Sequence, residues 1–486
     1  MMAESLKDKS VKGAAWSFAD NIASLGITFL VGLVLARLLS PDEYGLIGII
    51  LLFITVFNGI IDSGFTIALI RKKDATDRDY NTVFIANLAI SILLSILLFL
   101  CAPLISSFFK RPELTSLTQV MSIVLIINAL SIVQNAVITK RIDFKTKTKA
   151  SLISSIFSGI IGIGMALLGF GVWSLVGQQV SRQTINTLCL WIYNKWIPNF
   201  TFYWDSFKEL WSFGYKLLIS GLIDNIWREV YQAVIGKCYS AETLGQYTVA
   251  RQFTTIGSSN LNTIIQRVSF PVLSSIQDNK DKLKEGYRRI IKLSMLLSFV
   301  LTLGMAATAK SLIQVLIGDQ WLQCVPMLQI ISFNMMFYPL HSLNLNMLQV
   351  SGRSDLLLKL EIIKKCIAVI PIMFGIFGNI FWMLGVGFIT GGCIDYLLNS
   401  YYSGKYVNYS SWEQLKDIMP SFLIAISMAT IVYAMSFMPL NPFMLLTMQI
   451  IVGTIYTITI CEWRKPSEYV ELKSIAMPIL NKFKGK

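Results

Sequence analysis

Apolar runs of about twenty residues, each long enough to cross a membrane once as a helix, recur from one end of this chain to the other. Nothing else in the sequence constrains the fold as tightly. YGLIGIILLFITVFNGIIDSGFTIAL over residues 44–69 and TVFIANLAISILLSILLFLCAPLI over 82–105 are two of them. Fourteen spans are predicted, from 14–38 at the start to 442–461 at the end, and no stretch between them is long enough for a soluble domain. Of 486 residues 54% are hydrophobic and 14% charged, whereas soluble domains carry about a quarter charged residues. The expected fold class is all-α: a polytopic membrane protein of about 14 transmembrane helices.

The net charge of +14 would suggest nucleic acid in a soluble chain. Here the lysines and arginines gather in alternate short segments between spans, as in TKRIDFKTKTK over 139–149, while the opposite loops hold little beyond Arg37, Lys110, Arg111, Lys237 and Lys310. That asymmetry orients helices: both termini are expected in the cytoplasm, and no nucleic-acid partner is expected. The basic N-terminus leads into an apolar stretch that runs on to Leu39, too long for a signal peptide's core and better read as the first span. Seven scattered cysteines form no CxxC pair and His341 is the lone histidine, so neither a metal site nor a disulfide framework is predicted. No GxxxxGK[ST] loop is present, so the chain does not hydrolyse ATP by itself. Asp77-Arg78-Asp79 fits the loose DxD pattern of metal-dependent glycosyltransferases, but without a nucleotide-binding domain it reads as a solvated loop.

The chain repeats itself. LARLLSPDEYGLIGI at 35–49 has a counterpart in IGKCYSAETLGQYTV at 235–249, with Ser40 and Gly45 offset by 200 from Ser240 and Gly245. GFGVWSLVG at 169–177 resembles GNIFWMLGV at 378–386, and NFTFYWDSFKEL and NYSSWEQLKD close the two copies. The expectation is two pseudo-symmetric six-helix lobes, 1–205 and 206–405, followed by 406–486 with two additional helices and a basic cytoplasmic tail. An even number of spans per copy gives both the same orientation, an arrangement suited to transport through a cavity between repeats.

Charged side chains at the bilayer centre cost roughly 2.5–3.5 kcal/mol on insertion scales, so those within spans should face a cavity or one another. In span seven Lys216, Asp224 and Arg228 fall on one helical face. Arg228 lies at a depth similar to that of Arg251 on span eight, and two arginines could grip one anion through bidentate hydrogen bonds. Two further readings stand beside this: Arg228 can instead pair with Asp224 one turn away, and Lys216 and Arg267 are near enough to the cytoplasmic surface to snorkel. Glu229 is expected to pair locally or to reach interfacial water, and Glu361 to pair with Lys365. In the first lobe Arg182 sits in the middle of span six. Asp20 and Asp62, each about 10 Å from the cytoplasmic end of its helix, could share a proton or a cation with help from Asn21 and Asn58, or could simply bond to their own helices. His341 is either a proton relay or a satisfied structural histidine.

LARLLSPDEYGLIGI, IIDSGFTIALIRKKDAT, TKRIDFKTKTKAS, GFGVWSLVGQQ and RVSFPVLSSIQDNKDKL, in this order and spacing over residues 35–280, resemble the Wzx-type polysaccharide flippases of the multidrug/oligosaccharidyl-lipid/polysaccharide exporter (MOP) superfamily. The resemblance implies a transporter rather than an enzyme, working in the bacterial inner membrane among its lipids. Its substrate would be an undecaprenyl-pyrophosphate-linked oligosaccharide, moved from the cytoplasmic to the periplasmic leaflet. It further implies no cofactor beyond H+ or Na+ coupling, and other polysaccharide-assembly membrane proteins as neighbours. Arg228, Arg251 and Arg182, with Lys216 and Arg267, would then meet the pyrophosphate, and Asp20, Asp62 and Asp224 would serve ion coupling. A MATE-like cation-coupled multidrug exporter is the alternative, favoured by the acids and opposed by the arginines. A membrane glycan-polymerising enzyme is a third, for which the outer loops are short.

Overall fold

The computed structural model describes residues 23–484 except 63, 73, 142, 195 and 352. The described residues are helical and contain no strand. In chain order the helices are α1 (Ala23–Leu38), α2 (Pro41–Asp62), α3 (Phe65–Arg71), α4 (Asp77–Phe109), α5 (Leu114–Met121), α6 (Ile123–Lys140), α7 (Phe144–Leu167), α8 (Trp173–Tyr193), α9 (Trp204–Cys238) and α10 (Ala241–Ser275). They continue with α11 (Lys280–Leu316), α12 (Cys324–Met335), α13 (Tyr338–Val350), α14 (Ser354–Ile367), α15 (Val369–Phe377), α16 (Ile380–Phe388), α17 (Asp395–Val407), α18 (Ser411–Ala434), α19 (Pro442–Arg464) and α20 (Ser467–Lys484). Eight helical segments are long and apolar enough to cross a membrane on length and composition alone. The remaining expected spans are also helical, as α1, α8, α9, α10, α12–α13 and α14–α15. α8, α9 and α10 carry the polar residues noted above, and a helix that keeps polar groups in a membrane presents them to protein or water rather than to lipid.

The chain divides into two compact units, Met1–Gly245 and Gln246–Lys486. In the first unit α9 packs on α2, α3 and α4. Its start is held by aromatic rings: Phe207 stacks on Trp211 with ring centroids 5.8 Å apart, and both meet the buried Phe65 of α3. Lys72, between α3 and α4, reaches both Glu209 (2.8 Å) and Asp79 (3.0 Å). Burial alone would lower its charge affinity, but these two hydrogen bonds outweigh it and hold the ammonium above the ordinary lysine range. Asp79 corrects the reading of 77–79 as a solvated loop: it is buried, and its carboxylate accepts from the Thr76 backbone (2.9 Å) and hydroxyl (3.3 Å), a capping box that starts α4.

The repeated motif has a structural explanation. Ser40 donates to Glu43 from its backbone (2.7 Å) and hydroxyl (2.9 Å), starting α2. In the second copy the Thr243 N–H donates to the Ser240 hydroxyl (3.1 Å), starting α10. The glycines bring these two starts together. A Cβ on Gly45 would lie 1.8 Å from the Ala241 carbonyl oxygen, and one on Gly245 would lie 1.8 Å from that of Pro41. Since 41 and 241 are themselves related by the offset of 200, the contact is reciprocal.

In the second unit α11 is the spine, packed by α12, α13, α18, α19 and α20. Its core is crossed by a polar cluster: Tyr287 (2.9 Å) and Ser403 (2.5 Å) both donate to the Asn344 side-chain oxygen, with Gln414 at 3.3 Å. Burial is tolerated there because each oxygen and amide is hydrogen-bonded. A π-helical turn, Ile389–Ile394, joins α16 to α17. The expected basic tail contains a docked helix, held by its acids as well as by Lys473, which pairs with Glu462 of α19. Glu468 of α20 is buried, accepts from Ser421 (2.6 Å) and pairs with Lys292 of α11 (3.2 Å), while Glu471 pairs with Arg289 (2.5 Å).

Candidate functional site

In the first unit, α2, α7 and α8, with the α5–α6 region, enclose a polar cavity of about 430 Å³. α8 supplies its charged wall. Gln179, Arg182, Gln183 and Asn186 are spaced i, i+3, i+4, i+7, so one helical face carries all four. A chain of amides braces that face: Gln183 donates to the Asn128 oxygen (2.9 Å), and Asn128 donates to Asn58 of α2 (2.8 Å). α8 is thereby tied through α6 to α2, and the polar wall is fixed in place.

Arg182 is half-buried near the middle of α8, and among the described residues it makes neither an ion pair nor a hydrogen bond. It is also the one charged side chain among the described residues lining this cavity. A guanidinium keeps its charge at any physiological pH. Placed within a membrane-spanning helix without a partner, it costs free energy that an anionic ligand would recover.

The other residues singled out from sequence fall elsewhere. Arg228 is paired with Asp224 (Nε–Oδ2 2.9 Å, Nη2–Oδ2 2.8 Å), the intrahelical arrangement that stood as its alternative, and its side chain is 67% exposed. Glu229 accepts from Gln232 (2.5 Å), a local contact as expected. Arg251 is half-buried on α10 in the second unit, where its carbonyl accepts from Thr254 (2.9 Å) and Thr255 (2.7 Å). Asp62 accepts from Thr66 one turn on, and Asn58 turns to Asn128. Asp20 and Asn21 lie outside the described residues, as do the side chains of Lys216 and Arg267. Glu361 pairs with Lys364 one turn on in α14 (2.5 Å). Both ring nitrogens of His341 are buried with no hydrogen-bond partner among the described residues.

Asn128, Gln179, Gln183 and Asn186 were missed from sequence because neutral amides in a span cost less than charges and draw less notice. Their signal was legible: QQVSRQTIN places four large polar side chains on one helical stripe of span six.

The described residues form an all-helical fold with a polar cavity sunk into the first unit, and this fold matches solved structures. The lipid II flippase MurJ in an inward closed conformation superposes with a TM-score of 0.73 at 16% identity, over 92% of this chain and 97% of that one. An inward-facing multidrug resistance MATE transporter of the MOP superfamily gives 0.57 at 17% identity, over 80% and 99%. The chain belongs to the family described as polysaccharide biosynthesis protein, which matches residues 34–326. Among its relatives, the teichuronic acid biosynthesis protein TuaB of Bacillus subtilis (strain 168) is 31% identical over 62% of this chain. The succinoglycan biosynthesis transport protein ExoT of Rhizobium meliloti (strain 1021) is 24% identical over 66%, and the lipopolysaccharide biosynthesis protein WzxC of Escherichia coli (strain K12) is 22% identical over 89%. The chain spans 63% of TuaB and 65% of ExoT, and 88% of WzxC.

Proposed function

We propose that this protein is a flippase that moves undecaprenyl-pyrophosphate-linked oligosaccharide repeat units from the cytoplasmic to the periplasmic leaflet of a bacterial inner membrane. It works by alternating access, driven by a proton or sodium gradient, with both termini in the cytoplasm. The observation that carries this reading is the polar first-unit cavity with its unpartnered Arg182. A hydrophilic cavity inside a bilayer serves a hydrophilic passenger: amides suit sugar hydroxyls, and a guanidinium suits an anion. Family membership and relatives named for the synthesis of three polysaccharides support the passenger class. The drug-exporter reading calls for acidic walls that attract organic cations, whereas the described wall of this cavity carries an arginine and amides.

In this proposal Arg228, Arg251, Lys216 and Arg267 serve the substrate's diphosphate. Arg228 is exposed but held by Asp224, so an arriving phosphate must displace that carboxylate. Asp224, released in the exchange, joins Asp20 and Asp62 as the acids proposed for ion coupling. The membrane-embedded partners are lipids and other polysaccharide-assembly proteins.

The test is reconstitution in proteoliposomes with a short-chain polyprenyl-diphosphate oligosaccharide, following its leaflet exposure with and without an ion gradient. Gradient-stimulated flipping by the wild type, lost in Arg182→Ala and Arg228→Ala, is expected. Wild-type protein that leaves the lipid in place but exports an organic cation refutes the proposal.

A further inference from the structure

We infer that a pocket of the second unit, where the end of α17 meets the start of α18, holds the headgroup of an anionic phospholipid of the surrounding bilayer. Lys405 and Lys416 take the phosphodiester, and Tyr401 and Trp412 flank it at the level of the headgroups. Such a site is separate from the transported molecule and is the same whatever the protein carries.

Position comes first. Ile380–Val407 and Ser411–Phe437 are both long and apolar enough to cross a membrane, so the turn that joins them stands where hydrocarbon gives way to water. A pocket of about 460 Å³ lies at this turn, in the range of small-molecule sites. Its shape is set in advance. Asn408 reverses the chain with a left-handed backbone (φ 52°), and the Tyr409 N–H donates to the Gly404 carbonyl (3.1 Å). The Ser400 and Ser411 hydroxyls lie 2.7 Å apart, and the Tyr396 hydroxyl donates to the Ser411 carbonyl (2.7 Å). A ligand therefore meets a fixed turn and need not order it.

Charge and rings select the ligand. Lys405 follows Tyr401 by one turn of α17, its ammonium 4.3 Å from the ring centroid. Lys416, at the pocket's rim, follows Trp412 by one turn of α18 and stands 5.8 Å from that ring. Both lysines are exposed, and neither has an ion pair among the described residues. A ring attracts a cation without neutralising it, so two positive charges are left for an anion. The carboxylate in the pocket is already met: Glu413 accepts from the Ser410 N–H (2.9 Å) and pairs with Lys284 (3.4 Å). Tyr401 is 54% exposed and Trp412 64%. Rings of these two types settle at the membrane–water interface, their apolar bodies toward acyl chains and their polar edges toward water. A soluble phosphate would use only the two charges. A phospholipid uses the charges and the rings together, and its chains already hold it at this depth.

The experiment titrates the full-length protein in neutral detergent with phosphatidylglycerol or phosphatidylcholine and counts bound lipids by native mass spectrometry. Wild type is expected to bind its first phosphatidylglycerol roughly thirtyfold more tightly than its first phosphatidylcholine, about fivefold for each lysine near the headgroup. Lys405→Gln and Lys416→Gln should each lose about fivefold of that preference, and the double variant all of it. Arginine at both positions should preserve it, and Trp412→Ala should weaken both lipids alike. Lys149→Gln, at an exposed lysine of the first unit, should change nothing. Should the double variant not fold, the single variants carry the test. Equal binding of the two lipids by wild type overturns the site, as does a double variant that keeps the preference. A loss in Lys149→Gln as large as in Lys405→Gln overturns it too, since any basic surface would then serve. Glycerol 1-phosphate and a short-chain polyprenyl diphosphate are the competitors. Displacement of phosphatidylglycerol by equimolar glycerol 1-phosphate assigns the lysines to a soluble phosphoester, and displacement by equimolar diphosphate assigns them to the proposed passenger. Either result overturns the phospholipid site, whereas retention of phosphatidylglycerol against both supports it. Flipping plays no part in this readout, so failure of the flippase reading and failure of the lipid site are told apart.

Discussion

Replacing Gly45 with alanine tests the reciprocal contact between the two copies of the repeated motif. The added Cβ would stand 1.8 Å from the Ala241 carbonyl oxygen, 2.5 Å from its carbon and 3.0 Å from its Cα, all backbone atoms that no rotamer change can move. Ordinary contact begins near 3.4 Å, so the starts of α2 and α10 must part. Overpacking of this kind costs about 1–3 kcal/mol, and a clash wholly with backbone belongs at the upper end. For a unit of this size, about 3 kcal/mol lowers the unfolding midpoint by roughly 6–12 °C. Thermal unfolding in detergent can be followed with a thiol-reactive dye, since Cys189, Cys324 and Cys461 are buried and free until the protein opens. Gly245→Ala should behave alike, because its Cβ would meet the Pro41 oxygen at 1.8 Å and the Gly45 nitrogen at 3.1 Å. The double variant decides the matter. Once the first methyl has parted the helices the second finds room, so the loss should be well short of additive. Gly164→Ala is the control: nothing lies within 4 Å of its Cβ, and alanine within a helix is favoured over glycine by about 0.5–1 kcal/mol. A wild-type midpoint in Gly45→Ala, or strict additivity in the double variant, refutes the reciprocal contact.

Arg182→Gln should leave the unfolding midpoint unchanged or raise it, because the arginine has no partner among the described residues; a fall of several degrees would reveal a stabilising partner. Asn128→Leu strands Asn58 and Gln183 without their hydrogen bonds, and should cost about 1–3 kcal/mol by the same thermal assay. Lys292→Ala leaves the Glu468 carboxylate buried against Ser421 and Ser467 without its cation, and should destabilise α20 by about 3 kcal/mol, read as faster proteolysis of the C-terminal helix. Burial alone would raise the Glu468 carboxyl, but the bonds from Ser421, its own backbone N–H and Lys292 hold it below the ordinary glutamate range. Its ionised form therefore adds stability above the unfolded value near 4.3, and that stability is lost as pH falls through the lower folded value. The wild-type midpoint should drop over this acid range more steeply than that of Glu468→Gln; identical pH profiles would remove Glu468 from the account.

The sequence by itself determined that this chain is an all-helical membrane protein, because a span must be about twenty residues long and apolar wherever it meets lipid. Those demands act along one helix at a time and leave their mark in linear order, as in residues 44–69 and in the offset of 200 between Ser40 and Ser240. Arg182 was legible for the same reason: a charge in mid-span is costly whatever surrounds it. What each polar side chain meets was decided only by tertiary structure. Arg228 and Arg182 look alike in sequence, yet one folds onto Asp224 and the other faces a cavity with no partner among the described residues. Asn58 reads equally well beside an acid pair or beside Asn128, and the packing of α6 between α2 and α8 chose Asn128. Gly45 shows the division most plainly. Its place in the repeat is written in the sequence, but the carbonyl that excludes a side chain there comes from Ala241, nearly two hundred residues away.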